Sequence, residues 1–191
     1  MKSKKNKLAA IKLDIHKSLV ERSIRGEQKA QFELYKLYSQ AMLNIAYRML
    51  GSKEEAEDVL QDSFVDAFRR LHSFRFESTF GAWLKRIVVN HSINVIKKRK
   101  LNVELFDSMM SFDDYEDDAD ELNEEDLEYT VKKVHSAMNK LPEGGRVVMS
   151  LYLFEGYDHA EIAEILNISE STSKSQYLRA KRKVKDIILN M

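Results

Sequence analysis

Apolar residues recur at helical intervals along most of the chain. In "QFELYKLYSQAMLNIAYRML", Phe32, Tyr35, Tyr38, Met42, Ile45 and Met49 fall three or four apart, which predicts an amphipathic helix. Gly51 ends it, and Ser52 followed by Glu55 gives the capping-box pattern that opens the next. Along "KEEAEDVLQDSFVDAFRRL" the inward stripe is Ala56, Val59, Leu60, Phe64, Ala67, Phe68 and Leu71. On the other side Asp58, Asp62 and Asp66 recur every four residues with Gln61 beside them. Like charges at that spacing slightly weaken an isolated helix, so the row is either a plain solvated face or a surface kept acidic for a partner.

"HSFRFESTFGAW" then breaks the periodicity, with Ser78 or Thr79 as the cap of a third helix. In "FGAWLKRIVVNHSINVIKKRK", Leu84, Ile87, Val88 and Val95 face inward. Arg86, Asn90, Asn94 and Lys97 or Lys98 make a polar stripe that ends in four consecutive bases. Amides and cations without acids, next to aromatic Phe76, Phe80 and Trp83, suit contact with nucleic acid. Core aromatics plus lysines that complement a helix C-terminus read the same segment more plainly.

Later in the chain a helix through "RVVMSLYLFEG" has Gly156 as its expected terminating residue. Asp158 caps "HAEIAEIL", whose Ile162, Ala163 and Leu166 face inward. Asn167 occupies the position where the chain turns through a left-handed conformation, Ile168 fills the angle, and Ser169 caps a last helix. There Tyr177, Ala180, Val184 and Ile187 form the inward stripe, so Lys174, Ser175, Leu178, Arg179 and Arg182 point outward together. A short helix, a three-residue turn and a longer helix with a basic outer face make a helix-turn-helix. A hairpin that only packs is the alternative. The outer residues suit base reading: Arg grips guanine O6 and N7, Ser serves either base, Leu touches a thymine methyl and Lys holds phosphate.

Composition narrows this to an all-α chain. With 191 residues, 43% hydrophobic, one proline and six glycines, it supports packed helical cores. The absence of cysteine excludes disulfides, zinc fingers and thiol nucleophiles. Lysines interrupt every apolar run of "MKSKKNKLAAIKLDIHKSL", and no stretch nears the roughly 18 apolar residues of a membrane span. The expectation is a cytoplasmic protein without membrane insertion. The five histidines are scattered and no glycine-rich phosphate loop occurs, so no catalytic residues, enzyme activity or cofactor are expected.

The net charge of zero conceals a division. Residues 1–100 carry 21 bases against 11 acids, residues 101–128 carry 13 acids and no base, and residues 129–191 carry 10 bases against 7 acids. Basic blocks flanking an acidic one point to a polyanionic partner. The acidic stretch "DSMMSFDDYEDDADELNEEDLE" repels itself and reads as a flexible linker. It has no glycine for the turn of a calcium loop, so no metal site is expected there. The organisation is a basic N-terminal segment (1–27), a helical domain (28–100), the acidic linker (101–128) and a second small helical domain with the helix-turn-helix (129–191).

These segments together resemble the extracytoplasmic-function group of bacterial sigma factors, the small members of the sigma-70 family that keep only regions 2 and 4. "AEDVLQDSFVDAFRRL" is similar to region 2.2, which docks on the clamp coiled coil of RNA polymerase. "FRFESTFGAWLKRIVVNHSINVIKKRK" is similar to regions 2.3 and 2.4, which open and read the −10 element, and "LPEGGRVVMSLYLFEGYDHAEIAEILNISESTSKSQYLRAKRK" to region 4, which reads the −35 element. The resemblance covers residues 28–190 in order. It implies a core-polymerase surface of Asp58, Gln61, Asp62 and Asp66. It implies a −10 surface of Arg75, Phe76, Ser78, Phe80, Trp83, Arg86, Asn90, Asn94, Lys97 and Lys98. It implies a −35 surface of Ser171, Thr172, Lys174, Ser175, Leu178, Arg179 and Arg182. Core RNA polymerase and promoter DNA, duplex at −35 and opened at −10, are the implied partners, with an anti-sigma protein as a further one. The linker, on this resemblance, lies in a positively charged polymerase channel.

The chain departs from the family pattern at Ser171, Thr172 and Ser173, where Gly-Thr-Val is common, at Gln176 for Arg, and at Asn94 for Asp. These departures bear on which promoter is read rather than on the fold. The competing function is a stand-alone regulator that binds duplex DNA through residues 158–186. A gel shift with and without core polymerase separates the two.

Overall fold

The computed structural model describes residues 17–102 and 127–190, and the regular structure among them is helical. Helix α1 covers 17–24, followed by α2 (Gln28–Leu50), α3 (Lys53–Arg70), a short 3-10 turn (Leu71–Ser73) and α4 (Phe80–Asn102). Then come α5 (Leu127–Asn139), α6 (Glu143–Leu153), α7 (His159–Leu166) and α8 (Glu170–Leu189). The chain forms two compact units that divide between Asn94 and Val95. Most of the expected acidic linker, 103–126, and the lysine-rich start, 1–16, lie outside the described residues.

In the first unit Val20, Leu34, Met49, Leu71, Leu84, Val88 and Val89 are the large side chains most completely buried. Gly26, at φ +83°, lets the chain turn from α1 into α2. The turn is braced by the guanidinium of Arg22, whose Nε donates to Glu27 Oε2 at 2.8 Å. That hydrogen bond holds the Glu27 carboxyl below its usual range. Helix α2 ends where Gly51, at φ +71°, donates its N–H to Tyr47 O. Ser52 Oγ then accepts the Glu55 N–H and starts α3.

The buried stripe of α2 differs from the predicted one. It runs through Ala30, Leu34, Met42, Ile45, Ala46, Met49 and Leu50, while Phe32 is 57% exposed. Two successive three-residue steps, from Phe32 through Tyr35 to Tyr38, turn the face by about 120°, because each falls about 60° short of a full turn. Met42, Ile45 and Met49 stay on the core side; Phe32 does not.

On α3 the stripe is as expected, with Phe68 half-buried. Helix α4 buries more than Leu84, Ile87 and Val88: Val89, Ile93 and Ile96 are buried too, and Val95 only half. Its start packs closely on α2. A Cβ at Gly81 would lie 2.7 Å from Tyr38 Cε1, and the Tyr38 and Phe80 rings meet edge-on at 5.2 Å. Thr79 caps this helix, its Oγ1 accepting the Ala82 N–H at 3.1 Å.

The second unit is built on Ala137, Met138, Leu141, Met149, Ala180 and Val184, with Tyr177 and Ile187 packed against them. Helix α6 ends at Leu153, three residues before Gly156 (φ +75°), so that glycine shapes the loop beyond the helix rather than its terminating position. Asp158 and Glu161 form a complete capping box at α7. Asn167 takes the left-handed conformation (φ 55°), and Ser169 Oγ accepts the Thr172 N–H to open α8.

Candidate nucleic-acid and partner interfaces

Three surfaces carry the residues singled out above. On α3, Asp58, Gln61 and Asp62 are exposed, and neither Asp58 nor Asp62 makes a hydrogen bond or ion pair among the described residues. Asp66 departs from the row. It is half-buried, paired with Arg70 on its own helix and 3.3 Å from His91 Nε2 on α4. Each four-residue step carries the chain about 40° past a full turn, so the third aspartate has rotated from the outer face towards α4. It ties two helices together instead of offering a carboxylate to a partner. Sequence reasoning also missed Val65, which is 51% exposed. Seven residues beyond Asp58, it returns to nearly the same line and puts an apolar group within the acidic face.

The second surface is the loop before α4 and the outer side of that helix. Arg75 and Ser78 are exposed, Phe76 and Trp83 half-buried. Phe80 corrects the sequence reading: at 2% exposure it belongs to the core, with Phe74 at 6.2 Å and Trp83 at 5.9 Å between ring centroids. The reason is its spacing, four residues before buried Leu84 on the same helical face. Phe80 supports the loop and does not present a ring to a ligand. Phe76 stands at φ +58°, a left-handed conformation that a bulky side chain adopts only under constraint, at a cost of order 1–3 kcal/mol. Its ring lies 4.8 Å from that of Phe74, which in turn lies 5.3 Å from Trp83. Along α4, Arg86, Asn90, Asn94, Lys97 and Lys98 are all exposed, at three- and four-residue steps that keep them on one side.

On α8, Ser171, Thr172, Lys174, Leu178, Arg179 and Arg182 are exposed, while Ser175 is half-buried. The first three take part in local contacts. The Ser171 and Thr172 hydroxyls lie 2.8 and 2.7 Å from Ser169 Oγ, and Lys174 pairs with Glu170 at 2.7 Å. The angle between α7 and α8 is pinned from inside by residues whose pairing the periodicity did not reveal. Fully buried Ser173 shares a 2.9 Å hydrogen bond with His159 Nδ1. The His159 ring stacks on Tyr152 at 4.5 Å, and Tyr152 meets Tyr177 at 4.6 Å. The departure at Ser173 is therefore satisfied by a partner on the preceding helix. Among the described residues no cluster of three or more His, Asp or Glu is placed to hold a metal, and no helix is long and apolar enough to cross a membrane.

The two units carrying these surfaces match two family models: sigma-70 region 2 over residues 34–101 and sigma-70 region 4 over residues 132–184. The chain belongs to the extracytoplasmic-function branch of the sigma-70 family. Its relatives include the RNA polymerase sigma-H factor of Pseudomonas aeruginosa, 30% identical over 87% of this chain and 90% of that protein. The ECF sigma factor SigW of Bacillus subtilis is 29% identical over 86% and 92%. The ECF sigma-E factor of Haemophilus influenzae is 30% identical over 90% and 94%. Among solved structures, CnrH in complex with the cytosolic domain of CnrY has a TM-score of 0.52 at 23% identity, covering 91% of this chain and 96% of that one. The sigma factor RpoE from Bartonella quintana, in complex with the anti-sigma factor NepR, gives 0.52 at 22% identity, covering 82% and 94%. This sigma factor joins core RNA polymerase and directs promoter-specific initiation. That membership decides against the stand-alone regulator, since such a protein has no use for a region 2.

Proposed function

We propose that the sigma factor divides its work among the three surfaces as follows. Asp58, Gln61 and Asp62 dock on core polymerase around Val65, an apolar centre with a charged rim. Phe76 and Trp83, with Arg75 and Ser78, receive an unpaired base of the −10 element, and Arg86, Asn90, Asn94, Lys97 and Lys98 follow its strand. The outer side of α8 reads the −35 element in duplex DNA. The observation that carries this reading is that Asp58, Gln61 and Asp62 on α3, Arg86, Asn90, Asn94, Lys97 and Lys98 on α4, and Leu178, Arg179 and Arg182 on α8 stand exposed on helix faces opposite buried stripes. The factor acts without a cofactor, in the cytoplasm, and an anti-sigma protein is a further partner. The complex of the structural neighbour RpoE with the anti-sigma factor NepR supports that last point.

Run-off transcription with core polymerase on genomic fragments, with the start sites mapped, tests the whole reading. Start sites without a shared pair of −10 and −35 elements overturn it.

Within α8 the exposed bases should divide by role. Arg179 lies mid-helix between Ser175 and Arg182, and Arg179→Ala is expected to cost about 1–3 kcal/mol and to relax preference at one −35 position. Lys181→Ala and Lys183→Ala are expected to weaken all sequences alike and to lower the salt slope by about one unit each. A −35 point-mutation panel titrated at two salt concentrations checks this. Uniform weakening by Arg179→Ala with altered base preference in Lys181→Ala would reverse the assignment.

A further inference from the structure

Helix α1 is anchored on α2 by fully buried Val20 and by Ser23, whose carbonyl accepts a hydrogen bond from Gln31 Nε2 at 3.4 Å. That anchoring sets Lys17, at the start of the described helix, over the ring of Phe76 with Nζ 5.8 Å from the centroid. The separation is at the outer edge of the cation–aromatic range. The same ammonium lies 3.9 Å from Glu21 Oε1, and the side chain remains about half exposed at 51%. An otherwise unassigned cation from the basic N-terminal part of the chain therefore stands on Phe76, whose backbone is held in a left-handed conformation.

We propose that Lys17 is a phosphate contact of the −10 site, held over Phe76 in the free protein and transferred to DNA when a base is captured. The inference rests on the reading of the Phe76 loop as the receiver of an unpaired base. Phe74 lies against the Phe76 ring at 4.8 Å. A nucleobase that stacks on Phe76 competes with the ammonium for the ring. The ammonium is held weakly there, by the ring quadrupole and a solvent-exposed carboxylate, so displacing it costs little. The nearest new anion is the phosphate of the nucleotide that has arrived. The exchange leaves the cation paired throughout and adds one phosphate to the footprint, a sequence-independent contribution beside the base-reading groups.

The test uses holoenzyme reconstituted from the full chain and core polymerase, bound to a forked DNA that is single-stranded through the −10 element, over a series of potassium chloride concentrations. Lys17→Met keeps an unbranched side chain one atom shorter and removes its charge. It is expected to flatten the salt slope by about 0.7 unit, the value of one single-strand phosphate, and to weaken binding at low salt by roughly two- to five-fold. Lys17→Arg should keep the slope, and affinity for core polymerase should be unchanged in both. A Lys17→Met slope equal to that of the parent overturns the proposal, as does a change in thermal unfolding with the slope intact, which marks a merely structural role. Phe76→Ala and Asn90→Ala run alongside, and each is expected to impair permanganate-detected melting more than closed-complex binding. If both leave thymine reactivity around −10 unchanged, the reading of the loop itself fails. If they impair melting while Lys17→Met leaves the slope alone, only the role of Lys17 falls.

Discussion

Replacing Asp58 and Asp62 together with arginine is expected to abolish capture of core RNA polymerase while leaving helical content unchanged. Both carboxylates stand exposed on α3 without partners of their own among the described residues, so the folded chain loses little when they are reversed. A partner surface complementary to them would instead meet two like charges. Such juxtaposition costs several kcal/mol, and about 3–4 kcal/mol corresponds to two to three powers of ten in Kd. Titration of labelled chain with core polymerase measures the loss, and far-UV circular dichroism checks the fold. Normal capture by the double variant would remove this face from the polymerase interface. Asp66→Arg should behave differently. It breaks the contact with His91 and sets a second cation beside Arg70, so it should lower the melting temperature of the first unit before it affects docking.

Ile162→Ala is expected to have the other large effect, confined to the second unit. Ile162 is fully buried, at 0% exposure, and is the one residue of α7 buried to that degree. Removing its side chain leaves a cavity in a small core, a change that typically costs 2–5 kcal/mol and is a large part of what such a unit has to lose. Protection at −35 should fall for every sequence alike, because the recognition helix loses its support and not its chemistry. Polymerase capture through α3 should persist. Urea unfolding followed by footprinting on a −35 panel distinguishes this from Leu178→Ala, an outer position 51% exposed, where stability should hold and base preference shift. An unchanged unfolding midpoint for Ile162→Ala would mean that α7 is not held by this contact.

The sequence made the local devices legible because each depends on residues three or four apart. Ser52 at α3, the Asp158–Glu161 box at α7, left-handed Asn167 and the Ser169 cap all appear where the spacing placed them. The basic outer side of α8 was legible for the same reason, since four inward positions, Tyr177, Ala180, Val184 and Ile187, fix which residues remain outside. What the pattern could not reveal depends on a second helix. Asp66 belongs to the acidic row by spacing and to His91 by position, and only the packing of α4 on α3 decides between them. Phe80 looks like one of three available aromatic rings until Tyr38, Phe74 and Trp83 close around it. The left-handed Phe76 left no mark at all, because neither glycine nor asparagine announces it. A better signal existed for α2, where the consecutive three-residue steps already contradict a straight stripe.

The hydrogen bond between Ser173 and His159 sets a condition on any attempt to retarget this factor to new promoters. Grafting the whole of α8 from a relative that carries valine at the position of Ser173 would leave the His159 imidazole without its partner under the new helix. The angle of the graft would then change along with its bases, and a failed transplant would say nothing about the code being tested. Altered specificity is better sought one outer position at a time, at 175, 178, 179 and 182. Positions 159, 173 and 177 should be exchanged only as a set.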